Sequence, residues 1–295
     1  MKEKIGFIGL GIMGKPMTKN LINAGYDLTI FNRSKKAITE LVQLGAIAVQ
    51  SPRDVAEKSD IIITMLPDSN DVTDVVLNEN GIIEGIQKNS VLIDMSSIAP
   101  LVSIDIAQKI RAAGAEMLDA PVSGGEPGAI AASLAIMVGG SENVYKRCEN
   151  ILKTMGRSVV LVGPVGAGGF AKLANQIIVA LNIAALGEAF SLAAKAGLDT
   201  VTLYNAIHAG LAGSNAMDAK IPMILDRNFN PGFKIKLHQK DLKNVMRTAE
   251  EMHLPLPLTS IAQQMLASLI DEEKGELDHS AIVMFQEHIA HLKIE

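Results

Sequence analysis

Three groups of residues in this 295-residue chain have types and spacings that could do chemistry. The first is Gly9-Leu10-Gly11-Ile12-Met13-Gly14, set between the apolar run Lys4 to Ile8 and an amphipathic stretch carrying Met13, Met17 and Leu21. Read as strand, turn and helix, its glycines serve three purposes. Gly9 permits the tight turn, Gly11 lets a pyrophosphate approach the backbone, and Gly14 lets helix pack on strand. The N–H groups and positive dipole end of the helix would then face the phosphates. The second group is Lys172 and Asn175, three apart in a helical stretch and so on one face. A lysine opening a largely apolar helix is either a solvent-facing terminus or a functional cation, and alone the first is commoner. Its poor match to the positive helix end favours the second. The third group is Ser123-Gly124-Gly125, whose consecutive N–H groups and hydroxyl could hold a carboxylate, although such a turn seen alone is an ordinary loop.

If Gly9 to Gly14 bind a dinucleotide, the end of the next strand should meet the adenosine ribose, about 20 residues on. There the chain reads Phe31-Asn32-Arg33-Ser34. An acidic residue would hold ribose hydroxyls and repel a 2′-phosphate. Asn32 does not repel it, Arg33 can pair with it through a planar fork, and Ser34 can add a hydrogen bond. The expectation is NADP(H) in preference to NAD(H), with NAD(H) use possible. Ser34 also suits the N-cap of the following helix, and the two roles are compatible.

These residues need a scaffold, and the first half of the chain supplies an alternating one. Apolar runs predict strands over 4–8, 27–31, 60–66, 90–94, 115–119, 134–138 and 158–162. Helical periodicity falls over 12–24, 35–44, 52–58, 69–77, 100–113 and 142–154, with Pro52 and Pro100 at helix starts. This rhythm predicts an α/β fold: a doubly wound parallel sheet with helices on both faces. Ligands then gather beyond the carboxyl ends of the strands, where Met65-Leu66-Pro67, Asp94-Met95-Ser96-Ser97 and Asp119 to Gly125 all sit. After the glycine-rich stretch 163–169 the pattern becomes helical, over 168–196, 200–209, 236–252, 256–272 and 278–291. The expected domains are therefore residues 1–164, a Rossmann-type dinucleotide-binding domain, and 165–295, an all-helical domain for substrate and oligomerisation.

Five ordered motifs together resemble the β-hydroxyacid dehydrogenase family: the Gly9–Gly14 turn, Asp94 to Ser97, Asp119 to Gly125, Gly166-Ala167-Gly168 with Lys172 and Asn175, and Lys240-Asp241-Leu242. The resemblance runs from the first strand to the C-terminus. It implies a 6-phosphogluconate dehydrogenase-like fold and an enzyme that reduces a small carboxylate-bearing aldehyde with a nicotinamide cofactor. It further implies that Lys172 is the general acid and Asn175 orients substrate. Ser123, Gly124 and Gly125 would hold the carboxylate, and Ser97 would lie near nicotinamide and substrate. Phe233, Lys240 and Asp241 would close over the cleft, Lys240 towards the cofactor. Gly9, Leu10, Gly11, Ile12, Met13, Gly14, Asn32, Arg33, Ser34, Met65, Leu66 and Pro67 would line the dinucleotide. Gln176 departs from the family, many members having a second Asn there.

Composition excludes several other classes. A net charge of −5 with no basic run argues against a nucleic-acid partner. The single Cys148 excludes an internal disulfide and fits a reducing compartment, so a cytoplasmic protein without a signal peptide is expected. Cys148 reads as a packing residue. The apolar stretch Leu173 to Ala194 approaches membrane-spanning length, but Asn175, Gln176, Asn182 and Glu188 interrupt it, so a buried helix is expected and no membrane partner. Its apolarity on several faces predicts a homodimer or homotetramer. The six histidines suggest no metal. His288 and His291 read as an exposed face, and His238 adjoins Lys240-Asp241 without an assigned role.

Overall fold

The computed structural model describes residues 3–294; residues 1, 2 and 295, at the outer ends of the two expected domains, lie outside the described residues. Two compact units divide between Lys172 and Leu173, inside a long helix.

The first unit alternates strand and helix. In chain order its elements are β1 (Ile5–Ile8), α1 (Gly14–Asn23), β2 (Leu28–Phe31), α2 (Lys35–Gln43), β3 (Ile47–Ala48), α3 (Pro52–Glu57), β4 (Ile61–Thr64), α4 (Ser69–Leu77), α5 (Ile82–Gly85), β5 (Val91–Asp94) and α6 (Pro100–Ala112). They continue as β6 (Glu116–Asp119), β7 (Val122–Ser123), α7 (Gly125–Ile130), β8 (Leu134–Gly139), α8 (Glu142–Lys153), β9 (Gly156–Gly163) and the start of α9 (Ala167–Lys195). Spatial order is β3-β2-β1-β4-β5-β6-β8-β7, with β9 beside β8. The first six strands are parallel in the order 3-2-1-4-5-6 of doubly wound dinucleotide folds.

The sheet is mixed rather than wholly parallel, because β8 runs against both β6 and β7. Between β6 and β8 the chain forms only the two-residue β7 and the six-residue α7, and it folds back as a hairpin instead of crossing over. The full helix α8 then restores a parallel β8–β9 pair. Both faces of the parallel part are covered. Ile61 and Ile63 point into one buried cluster with Phe7 and Met17, and Ile62 between them points into another with Val72 and Leu92. Each such side chain contributes about 1.5–3 kcal/mol on leaving water. Helix starts follow local chemistry: Ser51 and Asp54 form a reciprocal capping box on either side of Pro52, the first residue of α3. Cys148 is a buried packing residue on α8, its thiol pushed up to about 12 by burial.

The second unit is helical. After α9 come α10 (Thr200–Ile207), α11 (Asn215–Leu225), α12 (Ile235–Glu251) and α13 (Pro257–Asp271). A 3-10 turn, His279–Ile282, leads into α14 (Val283–Ala290), so the stretch expected as one helix over 278–291 is two shorter pieces. The core of this unit joins Ala180, Ile183, Leu186 and Phe190 of α9 to Ile221, Ile235, Leu242 and Leu266. Helix α9 is long and apolar enough to cross a membrane by length and composition alone, and less than half of its most apolar stretch is buried. Its opposite side exposes Ile178 and Leu192, so it is not the fully buried helix that its sequence suggests.

Candidate active site

Registers of the parallel strands bring the expected site segments of the first unit to one edge. Ile8 pairs with Phe31 and with Thr64, Thr64 with Asp94, and Asp94 with Asp119. Five strands thus finish level with one another. Out of that shared edge come Gly9–Gly14, Asn32–Ser34, Met65–Pro67, Met95–Ser97 and Ala120–Gly125.

Within the glycine turn each position has a distinct cause. Gly9 takes φ +97°, and a β-carbon on it would lie 2.3 Å from the Met65 carbonyl oxygen. One on Gly14 would lie 1.8 Å from the Gly9 oxygen, so the helix approaches the strand only without a side chain. A β-carbon on Gly11 would meet nothing within 4 Å, which leaves open space against the backbone at the start of α1. No side chain caps that helix end and its first turn carries no acid. An exposed, uncapped helix N-terminus behind a bare glycine fits a dinucleotide pyrophosphate.

Asn32 ties this turn to the end of β2. Its Oδ1 accepts from the Leu10 N–H at 3.0 Å, and its Nδ2 donates to the carbonyl and hydroxyl oxygens of Ser34 at 3.0 and 2.9 Å. Ser34 does stand at the N-cap of α2, but its side chain makes no cap hydrogen bond; its hydroxyl accepts from Asn32 instead. Arg33 is 81% exposed and its guanidinium reaches Asp71 at 3.1 Å. Leu66 donates its N–H to the Ser96 hydroxyl at 2.9 Å, which fixes Met65–Pro67 beside Ser96 and Ser97.

Two buried carboxylates organise the far side of this edge. Asp94 accepts from the Thr64 hydroxyl at 2.8 Å and the Ser96 N–H at 3.2 Å, and its Oδ2 has no hydrogen-bond partner among the described residues. Burial pushes its carboxyl up to about 6. Asp119 is also pushed up to about 6 by burial, while N–H groups at Gly166 and Gly169 pull it back. Those two donate to Asp119 Oδ1 and Oδ2 at 2.7 and 2.8 Å. The carboxylate at the end of β6 therefore caps the first turn of α9, the turn that leads into Lys172. Lys172 itself is buried, with 7% of its surface exposed. Ser123 lies in β7, paired with Ala135, and Gly124 and Gly125 both take positive φ, 137° and 60°, at the start of α7.

In the second unit a hydrogen-bonded chain connects the expected helical residues. Asn175 Nδ2 donates to Gln176 Oε1 at 2.8 Å, and Gln176 Nε2 donates to Asp241 Oδ2 at 2.7 Å. The Lys240 ammonium lies 3.0 Å from Asp241 Oδ1. Phe233 is half-buried, its ring beside those of His238 and His279. Asp278 holds the turn before it, accepting from the N–H groups of Gly232 and Phe233 at 3.0 and 3.1 Å. Among the described residues no group of three or more His, Cys, Asp and Glu is placed to hold a metal; His288 and His291 are exposed.

Sequence reasoning missed Gln176 as the bridge between Asn175 and Asp241, Asp119 as a helix cap, and Asp278 with His279. The Gln176 signal was visible as a departure at the residue after Asn175. The Asp119 cap carried none, because its partners lie 47 and 50 residues away.

The strand order, the glycine turn and the bare helix end define a dinucleotide-binding protein. Residues 4–163 match the model of the NAD binding domain of 6-phosphogluconate dehydrogenase, and residues 166–285 that of the NAD-binding domain of NADP-dependent 3-hydroxyisobutyrate dehydrogenase. The chain is 44% identical to the 2-hydroxy-3-oxopropionate reductase of Escherichia coli, across 99% of each chain. It is 37% identical to human mitochondrial 3-hydroxyisobutyrate dehydrogenase, across 96% of this chain and 87% of that one. Its fold is similar to the structure of Mycobacterium tuberculosis 3-hydroxyisobutyrate dehydrogenase with L-serine, with a TM-score of 0.88, 32% identity and coverage of 96% and 99%. This protein is an NAD(P)-dependent oxidoreductase. It belongs to the β-hydroxyacid dehydrogenase family.

Proposed function

We propose that the protein reduces tartronate semialdehyde (2-hydroxy-3-oxopropanoate) to D-glycerate, with NADPH preferred over NADH. The observation that carries this reading is the 44% identity to 2-hydroxy-3-oxopropionate reductase over nearly the whole of both chains. Asn32 and exposed Arg33 support the cofactor preference, since neither repels a 2′-phosphate and Arg33 can swing from Asp71 to pair with one.

A bound nicotinamide dinucleotide supplies the hydride equivalent. The chain's own residues do the rest. The Lys172 ammonium donates a hydrogen bond to the aldehyde oxygen, stabilises the negative charge that grows there, and gives up its proton as the alcohol forms. Asn175 orients the substrate from the same helix face, its amide held by Gln176. Ser123, Gly124 and Gly125 bind the carboxylate through hydroxyl and N–H groups, with Ser97 near nicotinamide and substrate. Phe233, Lys240 and Asp241 close the site, Lys240 towards the cofactor. The protein works as a homodimer or homotetramer in the cytoplasm, with no nucleic-acid or membrane partner; the apolar stripe exposed on α9 and the buried lone thiol support that assignment.

A second reading is oxidation of 3-hydroxyisobutyrate, favoured by the names of the human and mycobacterial relatives. The test is a panel of tartronate semialdehyde, glyoxylate, succinic semialdehyde and methylmalonate semialdehyde, each with NADPH and NADH. The highest kcat/KM is expected for tartronate semialdehyde with NADPH. A clear preference for methylmalonate semialdehyde would establish the second reading, and no turnover of any of the four would overturn both and place the substrate outside this set.

A further inference from the structure

His238 and His279 meet inside the second unit, 1% and 6% exposed, with their Nδ1 atoms 2.9 Å apart. Two imidazole nitrogens at that distance share one hydrogen, one donating and one accepting. Which is which follows from the other end of His238, whose Nε2 lies 3.2 Å from the Gln176 carbonyl oxygen. A carbonyl only accepts, so His238 carries its hydrogen on Nε2. A neutral His238 then has its lone pair on Nδ1, and His279 must donate from Nδ1.

This ordered pair touches the surroundings of every substrate-side residue assigned to the second unit. At one end it grips the α9 backbone at Gln176, one residue after Asn175 and the residue whose amide joins Asn175 to Asp241. At the other, the backbone N–H of His279 donates to the Phe233 carbonyl at 2.8 Å, and Asp278 holds the Gly232 and Phe233 N–H groups. Both imidazoles flank the Phe233 ring, with centroids 5.7 and 5.3 Å away. We propose that His238 and His279 are positioning residues, a proton-ordered imidazole pair that sets Asn175 and Phe233 against the substrate. The inference rests on the reductase reading above and adds to it the device that fixes its substrate side.

The test compares two replacements in the full-length protein. His238→Gln can keep a donor near the Nε2 position and reach the Gln176 carbonyl; His238→Asn places its amide near Nδ1 and loses that reach. His238→Asn is expected to lower kcat/KM for the best aldehyde about 10- to 100-fold, mainly through KM, as misplacing a substrate-orienting group by about 1 Å does. NADPH affinity should stay within about twofold of wild type and His238→Gln should recover most of the loss, a pattern that general loosening of the fold would not give. Long-range ¹H–¹⁵N spectra of the wild type should show His238 protonated at Nε2 and His279 at Nδ1. Unchanged kcat/KM in His238→Asn, equal losses in both variants, or the opposite tautomers would overturn the inference while leaving an active wild-type reductase intact. If neither variant folds, the wild-type tautomers decide it. A wild type inert towards every aldehyde would overturn the reductase reading, and this inference with it.

Discussion

Lys172 stands in the first turns of α9, where the helix dipole gives a positive charge no help. Its burial fits the role proposed for it, proton donor to a growing alkoxide. Lys172→Ala is expected to lower kcat by about 10²–10⁴ with NADPH binding nearly unchanged, read by steady-state kinetics beside a fluorescence titration. Near-normal turnover would remove the acid role. The reverse reaction needs the neutral amine, so oxidation of the hydroxyacid should gain with rising pH while reduction does not. At the adenosine end, Asn32→Asp with Arg33→Ala should invert the ratio of kcat/KM between NADPH and NADH; an unaltered ratio would show that 2′-phosphate recognition lies elsewhere. At this scale the sequence exposed residues whose neighbours in the chain explain them, such as Gly9, Gly11 and Gly14. The bridging role of Gln176, and the roles of His279 and Asp278, stayed hidden because their partners come from α12 and the Gly232–Phe233 turn, tens of residues away.

Elements position these residues through their ends. Asp94 and Asp119 terminate adjacent strands in register, and each is an acid in a place that penalises its charge. For Asp94 the sign is opposite to that of an ordinary surface carboxylate. Its folded-state value, about 6, lies above the ordinary 3.8, so its contribution to stability is greatest below 3.8 and is lost as pH rises towards 6. The full loss is on the order of 3 kcal/mol. Asp94→Asn cannot ionise, so its melting temperature relative to wild type should rise between about pH 4 and about pH 7 and level off above that. A difference independent of pH would mean that Asp94 ionises as freely folded as unfolded. Elements with clean periodicity and end signals, among them β4, α6 and α8, were legible in the sequence. The rest were short or self-contradicting: β3 has two residues, β7 two, α5 four, and α11 carries Pro222 in its interior after a glycine-rich run. The reversal of β8 was hidden for a related reason, since nothing in an apolar run states which way it points.

For the molecule as a whole, the alternation of strand and helix followed by helices alone was readable from period and punctuation, while the depth of burial of α9 was not. Its composition resembles a helix enclosed on all sides, yet Ile178 and Leu192 are 61% and 74% exposed and Ala185 between them is exposed too. Seven-residue steps put the three on one stripe, the spacing of a helix–helix seam. A homo-oligomer should cover that stripe. Light scattering at micromolar concentration should give a dimer or tetramer for the wild type, and Leu192→Glu should lower the mass. A monomeric wild type would leave the stripe without its expected occupant.

The level finish of Ile8, Phe31, Thr64, Asp94 and Asp119 has one more consequence. Each segment that leaves the sheet there is anchored by its own strand, so a lengthened or shortened loop is absorbed where it arises and its neighbours keep their footing. The sheet works as a common bench on which one fitting can be exchanged at a time, which is how a scaffold can keep its grip on one molecule while changing its taste for another.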